Sequence, residues 1–135
     1  MMMTMTITPL YAGPLALLFL ILSLRVIGRR RMLQVGLGDG GDPDLARRIR
    51  VAANCGEYIP LVLILMVLAE LQGATHFLLH ATGAALLAGR ALHAYGVSHA
   101  PENYRYRTTG MILTIAALVT AMSATFILGV MQALG

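Results

Sequence analysis

Arg50, Asn54 and Glu57 are spaced so that a helix carries them within roughly 60° of one another, on one face. They stand at the head of an otherwise apolar run, residues 51–71, that is long enough to cross a bilayer, which takes about 20 residues. Ionisable groups at such depth are costly and by default mark a functional site. Arg90 and His93 lie one helical turn apart in a second apolar run, and Arg25, Arg29, Arg30, Arg105 and Arg107 sit at the ends of two others. Each guanidinium is a flat fork of donors that fits a carboxylate in two places at once. A cluster with more arginine than acid has donors left over, and spare donors in a partly dry pocket suit an anionic ligand bearing carboxylates. Glu57 lies about 10 Å along the helix from Arg50 at 1.5 Å per residue, too deep to snorkel easily, and is expected to be the buried acid of that cluster.

The elements that must hold these groups are apolar helices. Four segments stand out, and helices are expected over about 7–29, 45–72, 75–98 and 107–134. In lipid only helices or closed barrels satisfy their backbones, and these runs are too long and continuous for barrel strands. The predicted fold is therefore all-α, an integral membrane four-helix bundle of up-down topology, with residues 1–135 forming one domain. Residues 28–43 form a glycine-rich connection, in which Asp42 or Asp44 is placed to cap the second helix. Gln72, Gly73 and Ala74 make a tight turn, and Pro101 breaks the last connection.

Composition agrees. The 135 residues are 58% hydrophobic and 12% charged, against about 45–50% and 25% in a soluble domain. All ten basic residues are arginine, and the net charge is +4. They cluster beside apolar runs and not along a soluble face, which argues against nucleic acid as a partner. Arg29, Arg30, Arg31, Arg47 and Arg48 flank the first connection, and Arg105 and Arg107 the third. The positive-inside rule then puts both connections in the cytoplasm and both termini outside, in a multi-pass arrangement. A single cysteine, Cys55, excludes an intrachain disulfide framework; it reads as a small buried residue. The residues before Pro9 carry no positive charge, so the first apolar segment is expected to be retained. His76 and His80, four apart, lack a third ligand, and no metal site is expected. Glu70, at the far end of the second helix, is expected to be solvated.

Arg50-x-x-x-Asn54-x-x-Glu57 with Tyr58 and Pro60 resembles the second-helix signature of the MAPEG family, membrane-associated proteins in eicosanoid and glutathione metabolism. The string from Asn54 to Pro60 is particularly close to that of a leukotriene synthase, and the chain is also similar to microsomal glutathione S-transferases. Residues 36–41, Glu57–Pro60 and Leu87-Ala-Gly-Arg90-x-x-His93 look like the small bacterial branch. The resemblance spans about residues 20–115. It implies a bacterial inner-membrane homotrimer, with glutathione as co-substrate bound between subunits and a lipophilic small molecule delivered from membrane lipid. By the same resemblance Arg30, Arg50 and Arg90 would take the carboxylates, Glu57 the amine and Asn54 the peptide group, with Tyr58 and His93 lining the site. Arg107 would stabilise the glutathione thiolate, with Arg105 as the alternative. Met111 and Val97 stand where some members have tyrosine, which turns the expectation from eicosanoid-specific activity to generic conjugation or peroxide reduction. Two other classes fit the length and composition: a small four-helix transporter, and a glutathione-binding membrane protein without turnover. Against the transporter, the first helix carries no acid for proton coupling.

Overall fold

The computed structural model describes residues 5–135; the beginning of the chain that precedes the first apolar segment, residues 1–4, lies outside them. Four helices follow in order: α1 (Thr8–Leu33), α2 (Pro43–Leu71), α3 (His76–Ser98) and α4 (Tyr104–Leu134). The sequence explains their ends. Asp42 accepts a hydrogen bond from the Leu45 N–H at 2.6 Å, with Pro43 in the first turn, so Asp42 and not Asp44 is the cap. Thr75 and Asn103 cap α3 and α4 in the same way. Gly73, at φ +86°, makes the tight turn between α2 and α3.

Two boundaries differ from expectation. α1 runs on to Leu33, because Arg29–Arg31 are good helix formers and cations suit a helix C-terminus. α4 begins at Tyr104, so Arg105 and Arg107 lie in its first turn. The start of α1 meets the end of α2 and the start of α3, through Thr8–Glu70 and Tyr11–His80 bonds. The end of α4 reaches the end of α2 through Gln132 and Gln72. The helices therefore run up and down, with all the arginine-bearing connections at one end.

α1, α2 and α4 are long and apolar enough to cross a membrane. α3 carries Arg90 and three histidines and is wedged among the other three. Leu15, Leu22, Val51, Val62, Leu86, Ala117 and Ala121 form the main core. The outside is as apolar as the inside: Phe126 is 71% exposed, whereas Arg90 is fully buried. A surface of that kind is solvated by acyl chains and not by water.

The α3–α4 seam is closed by glycine. A Cβ on Gly89 would come within 2.8 Å of the Gly110 carbonyl oxygen, and one on Gly96 within 2.9 Å of the Asn103 carbonyl oxygen. Small residues let membrane helices approach this closely. The same contact sets the His93 backbone against Gly110 and the start of α4, with Arg107, against Gly96. The seam thereby fixes the relative height of His93 and Arg107.

Candidate functional site

A cavity of about 380 Å³ opens at the arginine-rich end between α2, α3 and α4. Arg47, Arg50 and Asn54 reach it from α2, His93 and Val97 from α3, Glu102 from the connection, and Arg107, Thr108 and Met111 from α4. Of the residues singled out in the sequence, Arg50, Asn54, His93 and Arg107 are thus brought together. The α2 residues meet there because positions 47, 50 and 54 share one face of a helix.

Arg90 lies beneath. Its Nε donates to Thr114 Oγ1 at 2.8 Å, and one terminal nitrogen donates to Asn54 Oδ1. The other is 3.5 Å from Met111 Sδ, and the guanidinium sits 5.2 Å from the centre of the Tyr58 ring. A buried cation without compensation would be prohibitive. Here two oxygen acceptors and a ring face satisfy it, and no carboxylate pairs with it among the described residues. Arg90 therefore acts first as a brace joining α2, α3 and α4. By taking Asn54 Oδ1, it fixes which side of that amide remains available. Tyr58 is the lower part of this brace and does not line the cavity.

His93 is 6% exposed, and its Nδ1 has no hydrogen-bond partner among the described residues. A buried ring nitrogen without a partner beside an open cavity is an unused recognition group. Arg107 forms an ion pair with Glu102 at 2.5 Å across the cavity mouth. Arg47 and Arg50 have no carboxylate partner within ion-pair distance among the described residues. Three guanidinium groups thus face one carboxylate, and the lining is net positive.

The remaining expected residues lie elsewhere in the single chain. Arg105 is exposed and does not line the cavity. Arg30 lines an apolar groove with Ala52, Ala53 and Gly56, roughly half a turn around α2 from Asn54. One of its terminal nitrogens is buried without a partner among the described residues. Glu57, expected to be the buried acid, is exposed in the single chain and lines no cavity described here. It falls about 60° around α2 from Asn54, at the edge of the helix bundle.

Sequence reasoning missed Glu102, whose approach to Arg107 depends on how residues 99–103 return to α4. It assigned Arg47 to topology alone, although position 47 shares the face of 50 and 54, a signal that was available. It also read Glu70 as solvated. Glu70 instead accepts the backbone N–H groups of Thr6 and Ile7 at 2.7 Å and Thr8 at 2.8 Å, closing the start of α1. At the arginine-rich end, outside the membrane-spanning helices, the Arg29 guanidinium and the Leu45 N–H hold the Asp42 carboxyl below its ordinary pKa. Cys55 is buried and free, as its setting indicated. Among the described residues no group of metal ligands gathers.

An Escherichia coli K12 protein named inner membrane protein YecN is 39% identical over 118 residues, covering 87% of this chain and 88% of its own. The protein of the same name from E. coli O6:H1 strain CFT073 matches to the same extent. Residues 8–127 match the profile of the MAPEG family. This four-helix membrane protein, with its arginine-lined cavity between α2, α3 and α4, belongs to the MAPEG family.

Proposed function

We propose that this protein is a membrane-bound, glutathione-dependent transferase or peroxidase acting on lipophilic electrophiles. The observation that carries the reading is the convergence of Arg50, Asn54, His93 and Arg107 on one cavity of about 380 Å³ with a cationic lining. Clefts of about 300–1,000 Å³ suit small ligands. Glutathione brings two carboxylates for guanidinium forks, amide groups for Asn54, and a thiol. The family's association with glutathione chemistry supports the same ligand.

The chemistry follows from Arg107. A free thiol has a pKa of about 8.5 and is mostly protonated at neutral pH. A guanidinium beside the sulfur stabilises thiolate, the nucleophile. In conjugation the thiolate forms an S–C bond with the electrophile, and the leaving group departs with its electron pair. In peroxide reduction it attacks one peroxide oxygen to give the sulfenic acid while the alkoxide leaves and takes a proton, and the thiol of a second glutathione then displaces water from that sulfur to form the disulfide. Glu102 pairs with Arg107 at the cavity mouth, and an anionic ligand competes with it for that guanidinium.

A homotrimer is part of the proposal. Arg30 lies half a turn around α2 from the cavity of its own chain, and Glu57 stands uncovered at membrane depth. A second copy packed on this side of α2 covers Glu57 and brings another chain's Arg30 toward the ligand, consistent with the intersubunit site implied by the family. Within a bacterial inner membrane, the arginine-rich end would face the cytoplasm, from which glutathione enters.

Calorimetric titration of glutathione into the detergent-purified protein tests the ligand. Wild type is expected to bind, and Arg50→Ala to weaken binding by about tenfold or more, the cost of a charge-assisted fork. Equal binding by both proteins would remove this cavity as the site. Binding without turnover across electrophiles and peroxides would leave a glutathione-binding protein that does not catalyse.

A further inference from the structure

A second groove, of about 390 Å³, runs between α1 and α3. Ala91, Ala94, Tyr95 and Ser98 line it from the face of α3 opposite His93 and Val97, so it is separate from the cavity described above. Its floor is apolar, with Leu18 and Leu22 facing Ala91 and Ala94. Ala91 and Ala94 present only small side chains on the α3 wall.

The upper end of the groove is polar. Arg25 crosses it and donates to Ser98 Oγ at 3.2 Å. Ser98 is the last residue of α3, so Arg25 sits where that helix leaves the apolar layer. Its neighbours Arg29 and Arg48 pair with Asp42 and Asp44, but Arg25 has no carboxylate partner among the described residues. Arg48 donates to the Arg25 carbonyl at 3.2 Å and ties α2 to this part of α1. Beside Arg25, the half-exposed Tyr95 ring packs 4.3 Å from His99 and 5.3 Å from Tyr106, centre to centre. Amphipathic rings of this kind sit at headgroup level.

We propose that this groove is a binding site for an anionic phospholipid. The headgroup phosphate takes Arg25 and the Ser98 hydroxyl, Tyr95 borders the headgroup, and one acyl chain lies along Leu18, Leu22, Ala91 and Ala94. The charge complementarity comes from an arginine without an acid. The apolar floor continuing below it selects a lipid over free phosphate. The site is independent of the catalytic reading.

Native mass spectrometry of the full chain in mild detergent tests this, with phosphatidylglycerol and phosphatidylcholine of identical acyl chains as probes. Phosphatidylglycerol adducts are expected to be favoured by about fivefold, the effect of one arginine at an anionic surface. Arg25→Gln is expected to abolish that preference, and Arg25→Lys to retain part of it. Arg31→Gln, an exposed α1 arginine outside the groove, should leave the preference intact. Ala91→Phe, which fills the groove and keeps the arginine, should lose retention of both lipids. Preference surviving Arg25→Gln, or falling equally in Arg31→Gln, would overturn the site in favour of diffuse surface charge. Displacement of the lipid by inorganic phosphate at equal concentration would overturn the acyl-chain contact.

Discussion

The two ends of the bundle both carry polar groups among apolar helices, and they use them differently. At the end without arginine, most of the groups meet partners within the chain, and the two buried atoms without one among the described residues, Thr8 Oγ1 and Gln72 Oε1, line none of the cavities described above. Glu70 closes three N–H groups at the start of α1, Tyr11 bonds His80, and Gln132 bonds the Gln72 carbonyl. At the arginine-rich end, Arg47 and Arg50 have no acid and His93 Nδ1 has no partner among the described residues, and the groups surround open space. Polarity at membrane depth is therefore not itself the mark of a site. Unsatisfied polarity converging on a cavity is.

The comparison is broken most severely at Arg90, which belongs to the arginine-rich end but is satisfied like the other. Arg90→Ala is expected to cost more than about 3 kcal/mol, since it removes hydrogen bonds from a buried charged donor and leaves a cavity. Thermal unfolding in detergent checks this, and ligand binding should fall with it as Asn54 loses its brace. Glu70→Ala should lower stability by about 2 kcal/mol, the scale of losing a charged acceptor. Glutathione affinity should not change, because Glu70 lies at the other end. A joint loss of stability and binding in Glu70→Ala would erase the distinction between the ends.

Two smaller effects sharpen the arginine-rich end itself. Glu102→Gln removes the carboxylate that competes for Arg107, so bound thiol should ionise at a lower pH, by less than about one unit for a partly solvated pair. A pH titration of thiolate absorbance reads this. Asp42 has a lowered pKa, so its contribution is present above its unfolded pKa and is lost as pH falls through the folded value. Amide exchange in the first turn of α2 should therefore accelerate on acidification. Asp42→Asn, which keeps the cap but loses the ion pair with Arg29, should remove that pH dependence.

Much of this was legible in the sequence, for identifiable reasons. Helical periodicity alone put Arg50 and Asn54 on one face, and apolar length fixed four helices. A capping acid at 42 or 44 was readable because a cap and its partner lie three residues apart, and the structure selects Asp42. Glu70 was misread because the N–H groups it accepts are more than sixty residues away in sequence. The Glu102–Arg107 pair and the Arg90–Asn54 bond likewise depend on how helices pack and connections return. Glu57 was expected to be buried because it lies deep in an apolar run, but depth in the membrane is not burial in the chain. The single chain leaves that edge of α2 uncovered.

The central claim is that the cationic cavity binds glutathione and ionises its thiol. Ultraviolet difference absorbance on adding glutathione to the purified protein tests it most directly, with Arg107→Ala and Glu70→Ala alongside. The account predicts a thiolate band in wild type and in refolded, intact Glu70→Ala, and its loss in Arg107→Ala while glutathione still binds. A band unchanged in Arg107→Ala, or no band in wild type with glutathione bound, would contradict it.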